Sequence, residues 1–134
     1  MSEPIIYIDR SRVRPGHQSA LRAAITDLAR FIESAEPQLL AYGIHLDEAG
    51  QRMSVTAVHP DTNSAETHLT VGGEAFRKLA EHLELESIEV YGEATARMRE
   101  LLQQKADALG HDCSVLVTPR YAGFARLPRM QSMG

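Results

Sequence analysis

The spacing of apolar residues along this chain predicts the order strand, helix, strand, strand, helix, followed by a closing strand. The predicted strands are 4–10, 39–47, 52–59 and 114–127, and the first two helices are 17–35 and 61–83. Strands 39–47 and 52–59 meet at a four-residue turn, 48–51. This order is typical of an antiparallel sheet with helices packed on one face.

The first helix has the clearest pattern. Apolar residues, among them Leu21, Leu28 and Ile32, recur every three or four positions and so form one stripe. Charged residues fill the remaining positions, which indicates one buried and one solvent-facing side. Pro37 ends the helix, because the residue before a proline is pushed out of the helical region.

The second helix is predicted to be interrupted. Asp61 is a suitable N-cap for a helix over 64–70, and a second apolar pattern runs over 74–83. Between them lie Gly72 and Gly73, which cost about 1 kcal/mol each inside a helix relative to alanine. We therefore expect a bend or a short loop there.

The remaining chain is predicted to add a third helix before the last strand. Residues 93–109 have a helical pattern with Gly110 as the expected stop, whereas 87–91 has the composition of a short strand. Pro119 is expected to bend the closing strand 114–127 or confine it to a sheet edge. We expect one domain over residues 1–127 and a loose C-terminal tail over 128–134.

The strands predict a partner subunit. In 39–47 and 52–59 neither set of alternating side chains is consistently charged, so both sheet faces are expected to be covered. One helical layer covers only one face, and a second copy of the chain is the economical cover for the other. The alternative is a monomer in which the third helix covers the second face.

Composition narrows the function classes. The chain has 134 residues, 43% of them hydrophobic, and a formal net charge of -4, which gives no general attraction to nucleic acid or to anionic membranes. No apolar run approaches the roughly 20 residues needed to span a bilayer. We therefore expect a cytoplasmic protein without nucleic-acid or membrane partners. Cys113 is the only cysteine, so an intrachain disulfide and a cysteine-pair metal site are both impossible.

Sequence motifs for the common cofactors and nucleophiles are missing. There is no glycine-rich dinucleotide or phosphate loop, no Gly-x-Ser-x-Gly, and no histidine spacing that forces a metal site. We expect no cofactor and no metal. Arg10, Arg12 and Arg14 are predicted to lie on the loop after the first strand, where they could hold an anion or simply be solvated.

Two short groups of residues resemble the antibiotic biosynthesis monooxygenase-like family. The first is Glu36-Pro37 with Leu40 and Tyr42, and the second is Pro60-Asp61 with Ala65, His68 and the later aromatic Phe76. The resemblance covers about residues 4–83. It implies an α+β, ferredoxin-like βαββαβ fold that dimerises into an α/β barrel, with an extra helix before the last strand.

The resemblance also implies a reaction. Members of that family oxygenate electron-rich aromatics, such as quinols or anthrones, without metal or flavin: a base removes a proton and the resulting anion reduces dioxygen. His68 matches the family's histidine and is the candidate base. A structural His68, hydrogen-bonded to a nearby carbonyl, is the alternative.

The candidate substrate-binding residues are Tyr7, Tyr42, His45 and Phe76, although each tyrosine could equally be a core residue. His59, beside Pro60, is expected to face solvent. The sequence contains no tryptophan, which argues against the haem-degrading members of the family. The competing class of function is a non-catalytic ligand-binding or stress-related barrel.

Overall fold

The computed structural model describes residues 3–127. Its strands are β1 (Ile5–Val13), β2 (Ala41–Leu46), β3 (Arg52–His59), β4 (Leu83–Tyr91) and β5 (Gly110–Thr118). Its α-helices are α1 (Gln18–Ala35), α2 (Thr62–Thr67), α3 (Gly73–Phe76) and α4 (Ala96–Leu109), with a π turn (His68–Gly72) before α3 and a 3-10 turn (Arg77–His82) after it. The predicted tail, 128–134, lies outside the described residues.

The strands form one five-stranded sheet in the order β2-β3-β1-β4-β5. The first four strands pair antiparallel, with Tyr7 of β1 opposite Ala57 on one side and Val90 on the other. The fifth strand, β5, runs parallel to β4, and α4 forms the crossover between them. The predicted α+β, ferredoxin-like fold with an extra helix before the last strand is confirmed, and the sheet of residues 3–127 is open.

The strand that completes the ferredoxin-like unit is β4, not 114–127 as predicted. Leu83, Leu85, Ile88 and Val90 of β4 are buried, and three glutamates occupy positions between them. The sequence prediction assigned Leu83 to the preceding helix and so shortened this strand to 87–91. The last strand, β5, begins at Gly110 and ends at Thr118, because Pro119 has no N–H to continue the ladder.

One face of the sheet packs against all the helices. Alternate residues of β1, including Ile5, Tyr7 and Val13, are buried there, as are Met53, Val55 and Ala57 of β3. The apolar stripe of α1 covers this layer as predicted, with Leu21, Leu28 and Ile32 buried. Within residues 3–127, no helix combines the length and apolar character that crossing a bilayer requires.

The outer face of the sheet divides into two halves. One half carries three arginine–glutamate pairs: Arg10 with Glu89, Arg12 with Glu84 (2.8 Å) and Arg52 with Glu86 (2.7 Å). Arg10 and Arg12 therefore belong to β1 and are paired, rather than lying on a loop as predicted. In the other half Ile6, Tyr91 and Leu116 are 36–54% exposed.

Residues 62–82 form one continuous run of helical turns instead of the predicted break at the two glycines. Asp61 caps it as expected, since its carboxylate accepts the N–H of Ser64 at 2.9 Å. The run changes from α to π geometry at His68 and returns to α geometry at Gly73. Single π turns inside helices occur frequently at functional sites.

Candidate functional site

The buried pair of Glu36 and His68 is the centre of the site. Glu36 caps the C-terminus of α1, where its backbone N–H bonds to the carbonyl of Ile32 at 2.9 Å. Its Oε2 and Oε1 lie 2.9 and 3.0 Å from His68 Nδ1. Glu36 is 2% and His68 5% exposed. A carboxylate at Nδ1 holds the proton on that nitrogen and leaves the lone pair on Nε2, the tautomer of a general base.

Gly72 makes this pair possible. An added Cβ at Gly72 would lie 2.8 Å from His68 Nδ1 and 3.0 Å from Glu36 Oε2. No real side chain fits at such distances without moving the histidine or the carboxylate. Gly73, by contrast, has nothing within 4 Å of its Cβ position. The π turn thus brings a bare backbone segment against the Glu36–His68 pair.

Three rings surround the His68 imidazole. Their centroids lie 5.2 Å (His59), 5.5 Å (Tyr42) and 6.2 Å (Tyr7) from its own. Burial, together with the nearby charges of Asp9 and Glu36, raises the pKa of Tyr42 far above its ordinary value. Tyr42 therefore keeps its phenolic proton at neutral pH and is a hydrogen-bond donor to any oxygen placed beside it.

His59 is buried, which corrects the prediction that it faces solvent. It is 1% exposed on the inner face of β3, and its Nδ1 lies 2.8 Å from the hydroxyl of Ser64. Burial, and then the neighbouring His68, lower the pKa of His59 to about 3. His59 is therefore neutral at physiological pH and places no positive charge beside His68.

A second polar cluster, which the sequence analysis missed, joins β1 to α4. Lys105 Nζ donates to Tyr7 Oη at 2.6 Å and to Asp9 Oδ2 at 3.1 Å, and Tyr7 Oη donates to the same carboxylate at 2.5 Å. The side chains of Lys105 and Asp9 are 9% and 0% exposed. Burial and then Asp9 raise the pKa of Tyr7 well above its ordinary value, so its hydroxyl stays protonated. Asp9 Oδ1 has no hydrogen-bond partner among residues 3–127.

A cleft at the surface reaches Glu36 of the Glu36–His68 pair. It has a volume of about 440 Å³ and lies between the C-terminal half of α1 and the beginning of β2. Its walls include Glu36 and Tyr42, together with Ile32, Leu39 and Leu40. Glu36 and Tyr42, which both lie beside the His68 ring, thus line the same cleft, whereas His68 is not among the residues that line it.

The fold recurs in solved structures, although no protein-family profile and no curated protein sequence matches the chain. MupZ from Pseudomonas fluorescens superposes with a TM-score of 0.71 at 18% identity, over 94% of this chain and 91% of MupZ. SnoaB, a cofactor-independent oxygenase from Streptomyces nogalater, gives 0.57 at 14% identity, over 69% of this chain and 94% of SnoaB.

A third relative in structure is a protein from Caulobacter crescentus whose name assigns it provisionally to the antibiotic biosynthesis monooxygenases. It superposes with a TM-score of 0.58 at 16% identity, over 66% of this chain and 88% of that one. The chain has the antibiotic biosynthesis monooxygenase-like fold. The resemblance drawn from Glu36-Pro37 and His68 is confirmed at the level of fold.

Four of the five predicted site residues come together in this antibiotic biosynthesis monooxygenase-like fold. His68 lies between the rings of Tyr7 and Tyr42. Phe76 is buried against Lys105, whose Nζ is 4.0 Å from its ring centroid. His45 is not brought to this group, because it is exposed and its Nε2 lies 3.1 Å from Thr56 Oγ1 on the outer face. A role for His45 in substrate binding stays a prediction.

Sequence reasoning found His68 but not its partner Glu36. The only local signal for Glu36 is a carboxylate at a helix end just before a proline. Lys105 carried a stronger signal, because it lies on the apolar stripe of α4 between buried Leu101 and Leu109. A lysine at such a position is rarely buried unless it is paired.

Proposed function

We propose that the protein is a cofactor-independent monooxygenase that acts on a small hydrophobic aromatic of the quinol or anthrone type. The observation that carries this proposal is the buried Glu36–His68 pair beside Tyr42, with Glu36 and Tyr42 in the wall of a 440 Å³ cleft. The likeness of fold to SnoaB supports it. The substrate enters through the cleft, and Tyr42 donates a hydrogen bond to its oxygen.

The proposed reaction on an anthrone needs only dioxygen. His68 Nε2 takes one proton from the methylene carbon, and Glu36 stabilises the imidazolium that forms. The resulting carbanion gives its electron pair to dioxygen and forms a carbon–oxygen bond. The peroxide takes up the proton and eliminates water, so the methylene becomes a carbonyl and the second oxygen atom leaves in the water. The reaction requires no external reductant, and we propose that it takes place in the cytoplasm, the location expected from the sequence.

The test measures dioxygen consumption with a panel of quinols and anthrones. His68→Ala should abolish uptake, and Glu36→Gln should reduce it by roughly 10²-fold or more, since general-base catalysis contributes about that factor. His111→Ala is the matched control, because His111 is an exposed histidine at the start of β5. Circular dichroism and thermal melting must show that each variant is folded.

Two outcomes contradict the proposal. Uptake that persists in folded His68→Ala would remove the base from the mechanism. Saturable binding of the same aromatics without any dioxygen consumption would favour the competing function, a non-catalytic ligand-binding barrel.

We also propose that the active species is a homodimer. Ile6, Tyr91 and Leu116 form an exposed apolar half-face, and Tyr121 and Phe124 are 101% and 73% exposed just beyond β5. A second copy that covers this half-face would remove the exposed apolar surface from water.

Leu116→Lys should therefore convert a dimer to a monomer in sedimentation experiments at micromolar concentration. Phe31→Lys is the control, because Phe31 is 45% exposed on α1, in the opposite layer. A wild-type protein that sediments as a monomer would refute the dimer.

A further inference from the structure

His17 and His82 face each other outside the Glu36–His68 site. His17 is the residue before α1, and His82 is the last residue of the 3-10 turn. Their Nδ1 atoms are 3.1 Å apart, within hydrogen-bonding distance, and their ring centroids are 5.4 Å apart. The two residues are 65 positions apart in sequence, so the fold itself brings them together. The proposed reaction uses neither of them.

Backbone hydrogen bonds tie together the two segments that carry these histidines. The N–H of Arg14 bonds to the carbonyl of His82 at 2.8 Å, and the N–H of His17 bonds to the carbonyl of Arg14 at 3.1 Å. Gly16 closes this turn at a φ of 84°, a left-handed conformation that favours glycine. Because the turn is tied to the end of the 3-10 segment, binding a ligand between the two rings would cost little conformational entropy of the backbone.

The spacing of the two nitrogens fits a shared metal ion. With metal–nitrogen bonds of about 2.05 Å, a separation of 3.1 Å gives an N–metal–N angle of about 98°. This angle lies between the octahedral and tetrahedral values, so a small rotation of either ring satisfies either geometry. Imidazole is a ligand that zinc, copper and nickel all accept.

A carboxylate lies on the far side of one imidazole. Glu81 Oε1 is 3.5 Å from His82 Nε2. A carboxylate at this position stabilises the proton on Nε2 and leaves the lone pair on Nδ1, where it faces His17. Metal-binding histidines commonly have such a partner on the nitrogen that does not bind the metal.

We propose that His17 and His82 bind a first-row divalent transition metal such as Zn²⁺ through their Nδ1 atoms, with water as the remaining ligands. In the described range no group of three or more histidine, cysteine or acidic side chains is placed to hold a metal. The two imidazoles are therefore the protein's contribution, and the affinity is modest. The partial positive charge at the N-terminus of α1 weakens it further.

The test is calorimetric titration of chelator-treated, full-length protein with Zn²⁺ and then with Cu²⁺. We expect one ion per protomer, with Cu²⁺ bound more tightly than Zn²⁺. His17→Ala and His82→Ala should each weaken binding by more than roughly tenfold, and Glu81→Gln should weaken it less. The exposed-histidine variant His111→Ala should bind like the wild type. Zn²⁺ should also raise the melting temperature of the wild type but not of the two histidine variants.

His17→Gln provides a second variant if His17→Ala does not fold, since glutamine keeps a hydrogen-bonding group but is a poor ligand for zinc. The proposal is overturned if the wild type binds no Zn²⁺ at millimolar concentration, or if the double His17 and His82 variant binds it equally well. Binding that is lost only in His68→Ala would place the metal elsewhere and would also overturn it. None of these outcomes depends on the dioxygen reaction.

Discussion

Replacing Lys105 with methionine should be among the most destabilising single changes in the protein. Methionine keeps the unbranched, apolar part of the side chain, so packing against Phe76 is largely retained. What is lost is the ammonium 3.1 Å from Asp9, a carboxylate with 0% side-chain exposure. Asp9 would keep one hydrogen bond, from Tyr7, and its Oδ1 already has no partner within residues 3–127.

The expected cost follows from this geometry. Removing one member of a buried ion pair leaves an uncompensated charge and costs about 3–5 kcal/mol of unfolding free energy. The free energy of unfolding of a domain is typically about 5–15 kcal/mol, so this cost is a large part of it. The assay is urea denaturation followed by circular dichroism, with the slope of the transition compared between variants.

Two comparisons isolate the charge effect. Adding Asp9→Asn to Lys105→Met should recover part of the loss, because the buried charge is then gone. Arg52→Met removes an ion pair whose side chains are 64% and 36% exposed, and it should change stability little. If Lys105→Met cost no more than Arg52→Met, the reasoning from burial would be refuted.

Three further predictions concern stability. In the folded protein the pKa of His59 is lowered to about 3, so the stability that neutral His59 contributes is fully present above its ordinary pKa of about 6.5 and is lost as the pH falls towards 3. Urea midpoints should therefore fall less steeply between pH 7 and 4 in His59→Gln than in the wild type. Equal slopes in the two proteins would contradict the burial effect. Gly72→Ala should lower the free energy of unfolding by about 1–3 kcal/mol, because the added methyl group would overpack against His68. Gly73 has open space around its Cβ position and a helical φ, so Gly73→Ala should raise the free energy of unfolding by about 0.4–1 kcal/mol in the same assay. Asp61→Ala should cost about 0.5–2 kcal/mol by removing the cap on the N–H of Ser64, and an unchanged thermal midpoint would show that the cap contributes nothing.

The sequence predicted local structure better than it predicted contacts. The stripe of α1, the cap at Asp61 and the order of the first elements follow from periodicities and capping chemistry within a few residues. The misplaced strand β4 shows the limit, because three glutamates alternate with its buried residues and weaken its resemblance to a buried strand. Strand β5 was extended too far because Tyr121 and Phe124 are apolar, although both are exposed.

The site depends on contacts that local patterns do not encode. Glu36 meets His68 across 32 residues, and Lys105 meets Asp9 across 96. His59 was predictable in part, because a period of two places it on the same side of β3 as Val55 and Ala57. The alternation along β3 therefore indicates the face on which His59 lies, although the adjacent Pro60 favours an exposed strand end.

The π turn at 68–72 sets the rotation of His68 about the helix axis relative to the residues that follow the turn. Each residue of an α-helix advances by about 100°, and a π turn takes up one more residue than the α turn it replaces. If the same residues were α-helical throughout, the two halves of the run would be rotated relative to each other by about that angle. With α3 held by Phe76 in the core, His68 would swing away from Glu36. The direction of the His68 side chain thus depends on the geometry of this turn as well as on the neighbouring residues.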